Sequence, residues 1–264
     1  MAAPAQEPLP AGAFSLAGQA AIVTGASSGL GRMMARGLAQ AGCAVLVAAR
    51  REEALAEVVD EIAAFGGRAQ MRRADLRDPG HAEDLVTAAG RAFGRLDGVV
   101  LNAGASTLAP AEQEDLAAFA DVLAVNVTAQ AALAAAAARA MIPAGGGWMI
   151  AMGSILGRRA GTGAGVAAYA ASKAAVEQLV RELARQWAPH GIRVNAIAPG
   201  YFPTAMNAPM IADPERLARI IARIPMGRVG AEADIAGVAV FLASAAAGYV
   251  TGQVIPLDGG MTCW

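Results

Sequence analysis

Tyr169 and Lys173 stand four residues apart in Tyr169-Ala-Ala-Ser-Lys173, within the Ala-rich run Ala167–Trp187 that reads as helix. On a helix, residues i and i+4 share a face, so a phenol and an ammonium can meet at one reacting group. A free tyrosine titrates near pH ~10, too high for a base at neutral pH, and a neighbouring positive charge lowers that value. Such a phenol can give a proton to a carbonyl oxygen or take one from an alcohol. A second stretch suits different chemistry. Thr24-Gly-Ala-Ser-Ser-Gly-Leu-Gly31 follows the apolar run Ala20–Val23 and leads into Arg32-Met-Met-Ala-Arg-Gly-Leu-Ala39, which has helical character. Strand, glycine turn and helix start aim backbone N–H groups and a positive helix end at one anion. The spacing is Gly25-x-x-x-Gly29-x-Gly31, not G-x-G-x-x-G. Its glycines suit a tight turn, close approach to a pyrophosphate, and close helix–strand packing.

The elements that must hold these groups alternate along the chain. Ala44–Ala49 is a continuous apolar run, as expected of a strand covered on both faces. Helix Glu52–Phe65 stops at Gly66-Gly67, and Arg68–Arg73 forms a short strand. Pro79 opens a helix to about Phe93, and Gly98–Leu101 is the fourth strand. A long helix over Leu116–Ala140 ends at Pro143 and Gly145–Gly147 before strand Trp148–Met152. Helix Ala167–Trp187, strand Ile192–Ala198, helix Ala231–Ala243 and strand Gln253–Leu257 complete the series. Tyr201–Met226 carries several prolines and a helical piece at Glu215–Ile224, and reads as a substrate-loop insertion over about 201–226. Seven strands alternating with helices imply an α/β fold: a doubly wound, seven-stranded parallel sheet with helices on both faces. Residues 16–264 are expected to form this single domain, with 1–15 a disordered N-terminal extension.

Composition removes several function classes. The 264 residues carry a formal net charge of −1, which leaves no electrostatic footprint for nucleic acid or an anionic membrane surface. Cys43 and Cys263 form no metal or redox spacing and fit a reducing cytosol. No metal-ligand constellation is apparent, and His81 and His190 fall in expected surface segments. The first residues lack the basic start and apolar middle of a secretory signal, so a cytoplasmic protein is expected. Mean hydropathy is +0.42, much of it alanine. The longest uncharged helical run, Val122–Ala138, contains Asn126, Thr128 and Gln130 and falls short of the roughly 20 apolar residues a span needs. It is expected to be a helix buried on several sides, in the core or at a subunit contact.

At Tyr169–Lys173 the chain resembles the short-chain dehydrogenase/reductase family, and the likeness runs from Ala17 to Gly260. The family's T-G-x-x-x-G-x-G is matched at Thr24–Gly31, its N-A-G at Asn102-Ala103-Gly104, and its helix asparagine by Asn126. Its serine is matched by Ser154, its Y-x-x-x-K by Tyr169 and Lys173, and its P-G by Pro199-Gly200. Tyr249-Val-Thr-Gly-Gln-Val-Ile-Pro-Leu-Asp-Gly-Gly260 resembles the C-terminal strand. One departure is the fifteen-residue step from Ser154 to Tyr169, longer than the family's usual interval, with the surplus in Gly157–Gly165.

The resemblance implies a Rossmann fold and the catalytic set Asn126, Ser154, Tyr169 and Lys173. Tyr169 would move the proton, Ser154 would bond the same oxygen, Lys173 would hold the ribose hydroxyls, and Asn126 would position a water relay. Hydride would pass to or from a nicotinamide. The implied dinucleotide contacts are Gly25, Ser27, Ser28, Gly29, Leu30, Gly31, Asp75, Leu76, Asn102, Ala103, Gly104, Pro199, Gly200, Phe202 and Thr204, beside Tyr169 and Lys173. Asp75 resembles the adenine contact, and Phe202 and Thr204 the carboxamide contacts.

Cofactor choice rests on the end of the second strand, where an acid favours NAD and an arginine accommodates the 2′-phosphate of NADP. Here the run is Ala48-Ala49-Arg50-Arg51, with no acid before Glu52. NADP is favoured over NAD, with Arg50 the leading phosphate contact and Arg51 its neighbour. The expected reaction interconverts a ketone and a secondary alcohol. Pro199–Asn207 with Ile224–Gly230 is similar to the gluconate 5-dehydrogenase branch, which implies a sugar acid or polyol, with Arg158 and Arg159 as candidate partners for its charge. A bulkier apolar ketone is the alternative, suited by Leu156, Tyr201, Phe202 and Met206 around Ser154 and Tyr169. A dinucleotide-binding regulator without turnover is the alternative outside enzymes, and the intact tetrad argues against it. Helices Leu116–Ala140 and Ala167–Trp187, together with the resemblance, suggest a homotetramer.

Overall fold

The computed structural model describes residues 12–161, 165–204, 208 and 212–263. Seven strands form one parallel sheet: β1 (Ala20–Thr24), β2 (Ala44–Ala49), β3 (Ala69–Arg73), β4 (Gly98–Leu101), β5 (Gly147–Met152), β6 (Ile192–Pro199) and β7 (Val254–Leu257). Their spatial order is β3-β2-β1-β4-β5-β6-β7. The order reverses between β1 and β4, and a doubly wound sheet binds ligands at the carboxyl ends of strands beside such a switch. There, Ala21 pairs with Gly98 and Val23 with Val100. A side chain at Gly98 would sit 2.1 Å from the Trp148 ring, so this close pairing needs glycine.

The helices are α1 (Gly29–Gln40), α2 (Glu52–Ala64), α3 (Gly80–Phe93), α4 (Leu116–Leu123), α5 (Ala129–Met141), α6 (Ala167–Trp187), α7 (Pro214–Ile221) and α8 (Glu232–Ala243). Alternate residues of the inner strands feed two separate cores. Val23, Val45, Val47, Val100 and Ile150 pack beneath α1, α2 and α8. Ile22, Leu46, Val99, Met149 and Val194 pack beneath α3, α5 and α6. Continuous apolar strands are what this two-faced burial demands.

Two expectations change. The helix expected over Leu116–Ala140 is interrupted by a π-helical segment, Ala124–Thr128, that contains Asn126. By length and composition Leu116–Met141 would suffice to cross a membrane, but α5 packs on α3 and α4 packs on α6. Order also begins earlier than residue 16. Ala13 is buried, its carbonyl accepts from the Ala246 N–H at 3.1 Å, and Phe14 lies against Phe241. The rest of the expected extension, residues 1–11, lies outside the described residues. Within 201–226, α7 is opened by Asp213, whose carboxylate accepts from the N–H groups of Glu215 and Arg216.

Candidate active site

The switch point gathers the glycine turn, the N-A-G segment and Thr24. The Thr24 hydroxyl donates to the Val100 carbonyl at 3.1 Å and accepts from the N–H groups of Asn102 and Ala103. Asn102 returns the link through its amide, which donates to the Thr24 carbonyl at 2.8 Å. The two strand ends are thereby clamped. Gly25 and Gly29 have φ of +64° and +56°, in the left-handed region that favours glycine. A Cβ on Gly31 would fall 2.4 Å from the Gly25 carbonyl oxygen.

Ser28 precedes α1 in extended conformation and makes no side-chain cap, and the first turn holds no acidic residue. The first bond of α1 runs from Arg32 N–H to Ser28 O, so the N–H groups of Gly29, Leu30 and Gly31 stand ahead of it. Arg51 reaches over this turn, donating to Ser28 Oγ at 2.9 Å and Ser27 Oγ at 3.2 Å. A helix start without its own carboxylate, two hydroxyls and a guanidinium together fit a dinucleotide's phosphates. Arg51, not Arg50, lies on the glycine turn, while Arg50 is near enough to Asp121 to help hold that carboxyl low, after the larger effect of the Arg77 hydrogen bond.

The remaining cofactor candidates follow the same strand edge. Asp75, after β3, accepts from the Arg77 N–H and stands partly exposed, and Leu76 packs against the second core. Gly200 donates its N–H to the Leu257 carbonyl, placing Pro199-Gly200 at the end of β6. Thr204 faces the glycine turn: a Cβ on Gly29 would meet its methyl at 3.3 Å. Phe202 does not present its ring there. It is 2 % exposed and joins the first core, under Gly230, where any Cβ would strike the ring.

The reacting side is built by β5 and α6. Ser154 caps a short 3-10 turn after β5, its Oγ accepting from Leu156 N–H at 3.1 Å. The same hydroxyl hydrogen-bonds the Tyr169 phenol, which lowers the phenol's pKa, but burial is the larger effect and the net shift is upward. Desolvation of the phenol thus outweighs the lowering, which comes from Ser154 rather than from the ammonium expected on the helix. Lys173 Nζ lies 5.5 Å from the Tyr169 ring centre and donates to the Met152 carbonyl at 2.7 Å. Burial brings its pKa down to about 8. Asn126 is 1 % exposed and its amide is occupied. Its Oδ1 accepts from Ala105 N–H, and its Nδ2 donates to Ala105 O and Ser172 Oγ. Ser172 in turn donates to Tyr169 O at 2.7 Å. The Asn126 side chain therefore ties the π segment to α6: both amide hydrogens are used, and Oδ1 keeps one further acceptor site.

The residues expected to line the substrate pocket adjoin an apolar cluster. Ile155, Ile220, Ile224 and Met261 form a small buried cluster, with Leu156 and Tyr201 packed on it. Met206 lies outside the described residues. Arg158 and Arg159 both face protein: Arg158 pairs with Glu177 at 2.9 Å, and Arg159 donates to the Met261 carbonyl. Sequence reasoning passed over Glu177 and Ser172. Their spacing on α6 from Tyr169, eight and three residues, was the available signal.

Comparison with known proteins agrees with this geometry. A family model described as enoyl-(acyl carrier protein) reductase matches residues 25–262. The chain is 38% identical over 249 residues to gluconate 5-dehydrogenase of Gluconobacter oxydans, covering 94% of this chain and 96% of the relative. It is 41% identical to a Pseudomonas aeruginosa 3-oxoacyl-[acyl-carrier-protein] reductase of rhamnolipid biosynthesis, with 94% and 97% covered. The crystal structure of a gluconate 5-dehydrogenase from Burkholderia cenocepacia in complex with NADP and tartrate superposes with a TM-score of 0.89 at 34% identity, over 96% and 98% of the two chains. With its model, relatives and switch-point site in agreement, the chain belongs to the short-chain dehydrogenase/reductase family of NAD(P)-dependent oxidoreductases.

Proposed function

We propose that the enzyme interconverts a ketone and a secondary alcohol of a sugar acid, with NADP(H) preferred. The observation that carries the reaction is the meeting of Ser154, Tyr169 and Lys173 at the carboxyl end of β5. With its pKa raised above 10.0 by burial, Tyr169 is a neutral phenol at pH 7 and holds the proton a reduced ketone oxygen needs. Ser154 donates to that oxygen as charge builds on it. Lys173 holds a positive charge beneath the phenol and is the group placed to bind ribose hydroxyls. The bound nicotinamide supplies or accepts hydride at the carbonyl carbon. Asn126 acts by holding α6 in place through Ser172.

Arg51, with Ser27 and Ser28, supports the preference for a 2′-phosphate. The sugar-acid reading is supported by the gluconate 5-dehydrogenases that match nearly end to end. The apolar wall of Leu156, Tyr201 and Ile224, with Arg158 and Arg159 held elsewhere, favours a second reading: a bulkier apolar ketone. A homotetramer in the cytoplasm fits the two free thiols and the partly exposed apolar helices. The test follows NADPH oxidation with 5-keto-D-gluconate against acetoacetyl-coenzyme A, in the wild type and Tyr169→Phe. Faster turnover of the sugar acid, lost in Y169F with NADPH binding kept, is expected. Turnover of the thioester alone would move the assignment to apolar ketones. Light scattering giving a monomer mass would refute the tetramer.

A further inference from the structure

Glu177 sits on α6 one turn past Lys173 and two past Tyr169, on the same stripe. It is 4% exposed. Oε2 accepts from Arg158 Nε at 2.9 Å, whereas Oε1 is buried with no hydrogen-bond partner among the described residues. That orphan oxygen lies against the two glycines that bracket Ser154-Ile155-Leu156. A Cβ on Gly153 would come within 3.1 Å of it, and one on Gly157 within 3.2 Å. The other arm of Arg158, Nη2, donates to Val254 O at the start of β7. Gly153 N–H donates to Ile197 O in β6. The serine turn is thus fastened to β6, β7 and α6 before the long interval to Tyr169 begins. That interval is fastened again at its far end, where Ala109 N–H donates to Gly165 O and no side chain fits at Gly165.

We propose that Arg158 and Glu177 are positioning residues that hold the Ser154 hydroxyl on the Tyr169 phenol independently of the lengthened segment between them. Because Glu177 and Tyr169 share α6, one rigid helix sets both ends of the Ser154–Tyr169 contact. The inference rests on the reading of Ser154 and Tyr169 as the reacting hydroxyls.

The experiment uses two variants, Glu177→Leu and R158M/E177L. In the first, Arg158 is one-third exposed and can turn to water. In the second, an apolar pair replaces the ion pair, so that neither charge is left without its partner. The phenol is titrated by ultraviolet absorbance without cofactor or substrate, in a background where Tyr201→Phe and Tyr249→Phe leave Tyr169 alone. Loosening Ser154 removes the contact that pulls the phenol down, so its transition moves to higher pH in both variants. NADPH affinity stays within about twofold, and kcat with 5-keto-D-gluconate drops about tenfold or more. An unchanged phenol transition in either folded variant overturns the proposal. A shifted transition with no turnover even in the wild type leaves the proposal standing and rejects the sugar acid instead.

Discussion

Replacing Arg51 by Ala should separate NADPH from NADH. Its guanidinium lies 2.9 Å from Ser28 Oγ and 3.2 Å from Ser27 Oγ, so a 2′-phosphate would meet the cation and two hydroxyls together. Arg51 is exposed, so the effective dielectric lies between that of water and of a protein surface, and opposite charges at ~4 Å gain about 1 to 4 kcal/mol. Hydrogen bonds to charged groups contribute about 1.5 to 3 kcal/mol net. A loss of about 2 kcal/mol corresponds to roughly 30-fold weaker NADPH binding. NADH has a neutral hydroxyl at that position, and its affinity should change by no more than about twofold. The assay is titration followed by nicotinamide fluorescence at low and moderate salt. The wild-type preference for NADPH should itself shrink as salt screens the exposed pair. Arg50→Ala, on the Asp121 side, should cost NADPH only about threefold. A larger loss in R50A than in R51A, or an equal loss of both nucleotides in R51A, would refute the geometry.

Other perturbations test the rest of the site. Tyr169→Phe should lower kcat by about 10²–10⁴-fold while NADPH affinity is retained, because the phenol moves a proton and does not carry the dinucleotide; weaker binding without loss of turnover would contradict this. Gly31→Ala drives a Cβ to 2.4 Å from Gly25 O and should cost about 1–3 kcal/mol, read as a fall in Tm and loss of NADPH binding. Gly90→Ala, in open space on α3, should instead stabilise by about 0.5–1 kcal/mol. Lys173 has its folded pKa lowered from 10.5 to about 8, so between these values the unfolded chain binds the extra proton and stability rises with pH. The penalty, at most about 3 kcal/mol, is full below the lower value and gone above the upper one. Denaturant unfolding of wild type against Lys173→Met across that window should show the slope vanish in the variant.

Much of the layer structure could be read from the chain because its signals are local. Ala44–Ala49 and Gly98–Leu101 are apolar throughout since both faces of each strand are covered, and α6 spans Ala167–Trp187 as its composition suggests. The π segment had no such signal. Ala124-Val-Asn-Val-Thr128 is richer in β-branched residues than the α-helix on either side, but such residues occur in ordinary α-helices too. What accompanies the change of winding is tertiary: Asn126 bonds Ala105 on the strand-end loop and Ser172 on α6. Propensity does not encode a partner forty-six residues away. Arg50 and Arg51 were likewise indistinguishable as neighbours, because which of them turns onto the glycine loop depends on the direction in which α2 leaves the strand.

The same limit explains why the substrate was harder to read than the reaction. Helical spacing places Tyr169, Lys173 and Glu177 on one face of α6, but only the fold shows what that face meets. For Tyr169 it is the Ser154 hydroxyl, for Lys173 the Met152 carbonyl, and for Glu177 the Arg158 guanidinium. Arg158 and Arg159, two cations beside the reacting serine, looked like ligands for an anionic substrate until their partners within the chain were visible. With both directed at protein groups, a sugar carboxylate would have to be recognised by hydroxyl and backbone donors rather than by a charge from this loop. A site that lacks a dedicated charge partner gains no Coulombic preference for an anionic substrate over a neutral one. A gluconate 5-dehydrogenase and a 3-oxoacyl-[acyl-carrier-protein] reductase resemble this one chain to nearly the same degree, 38% and 41% identical.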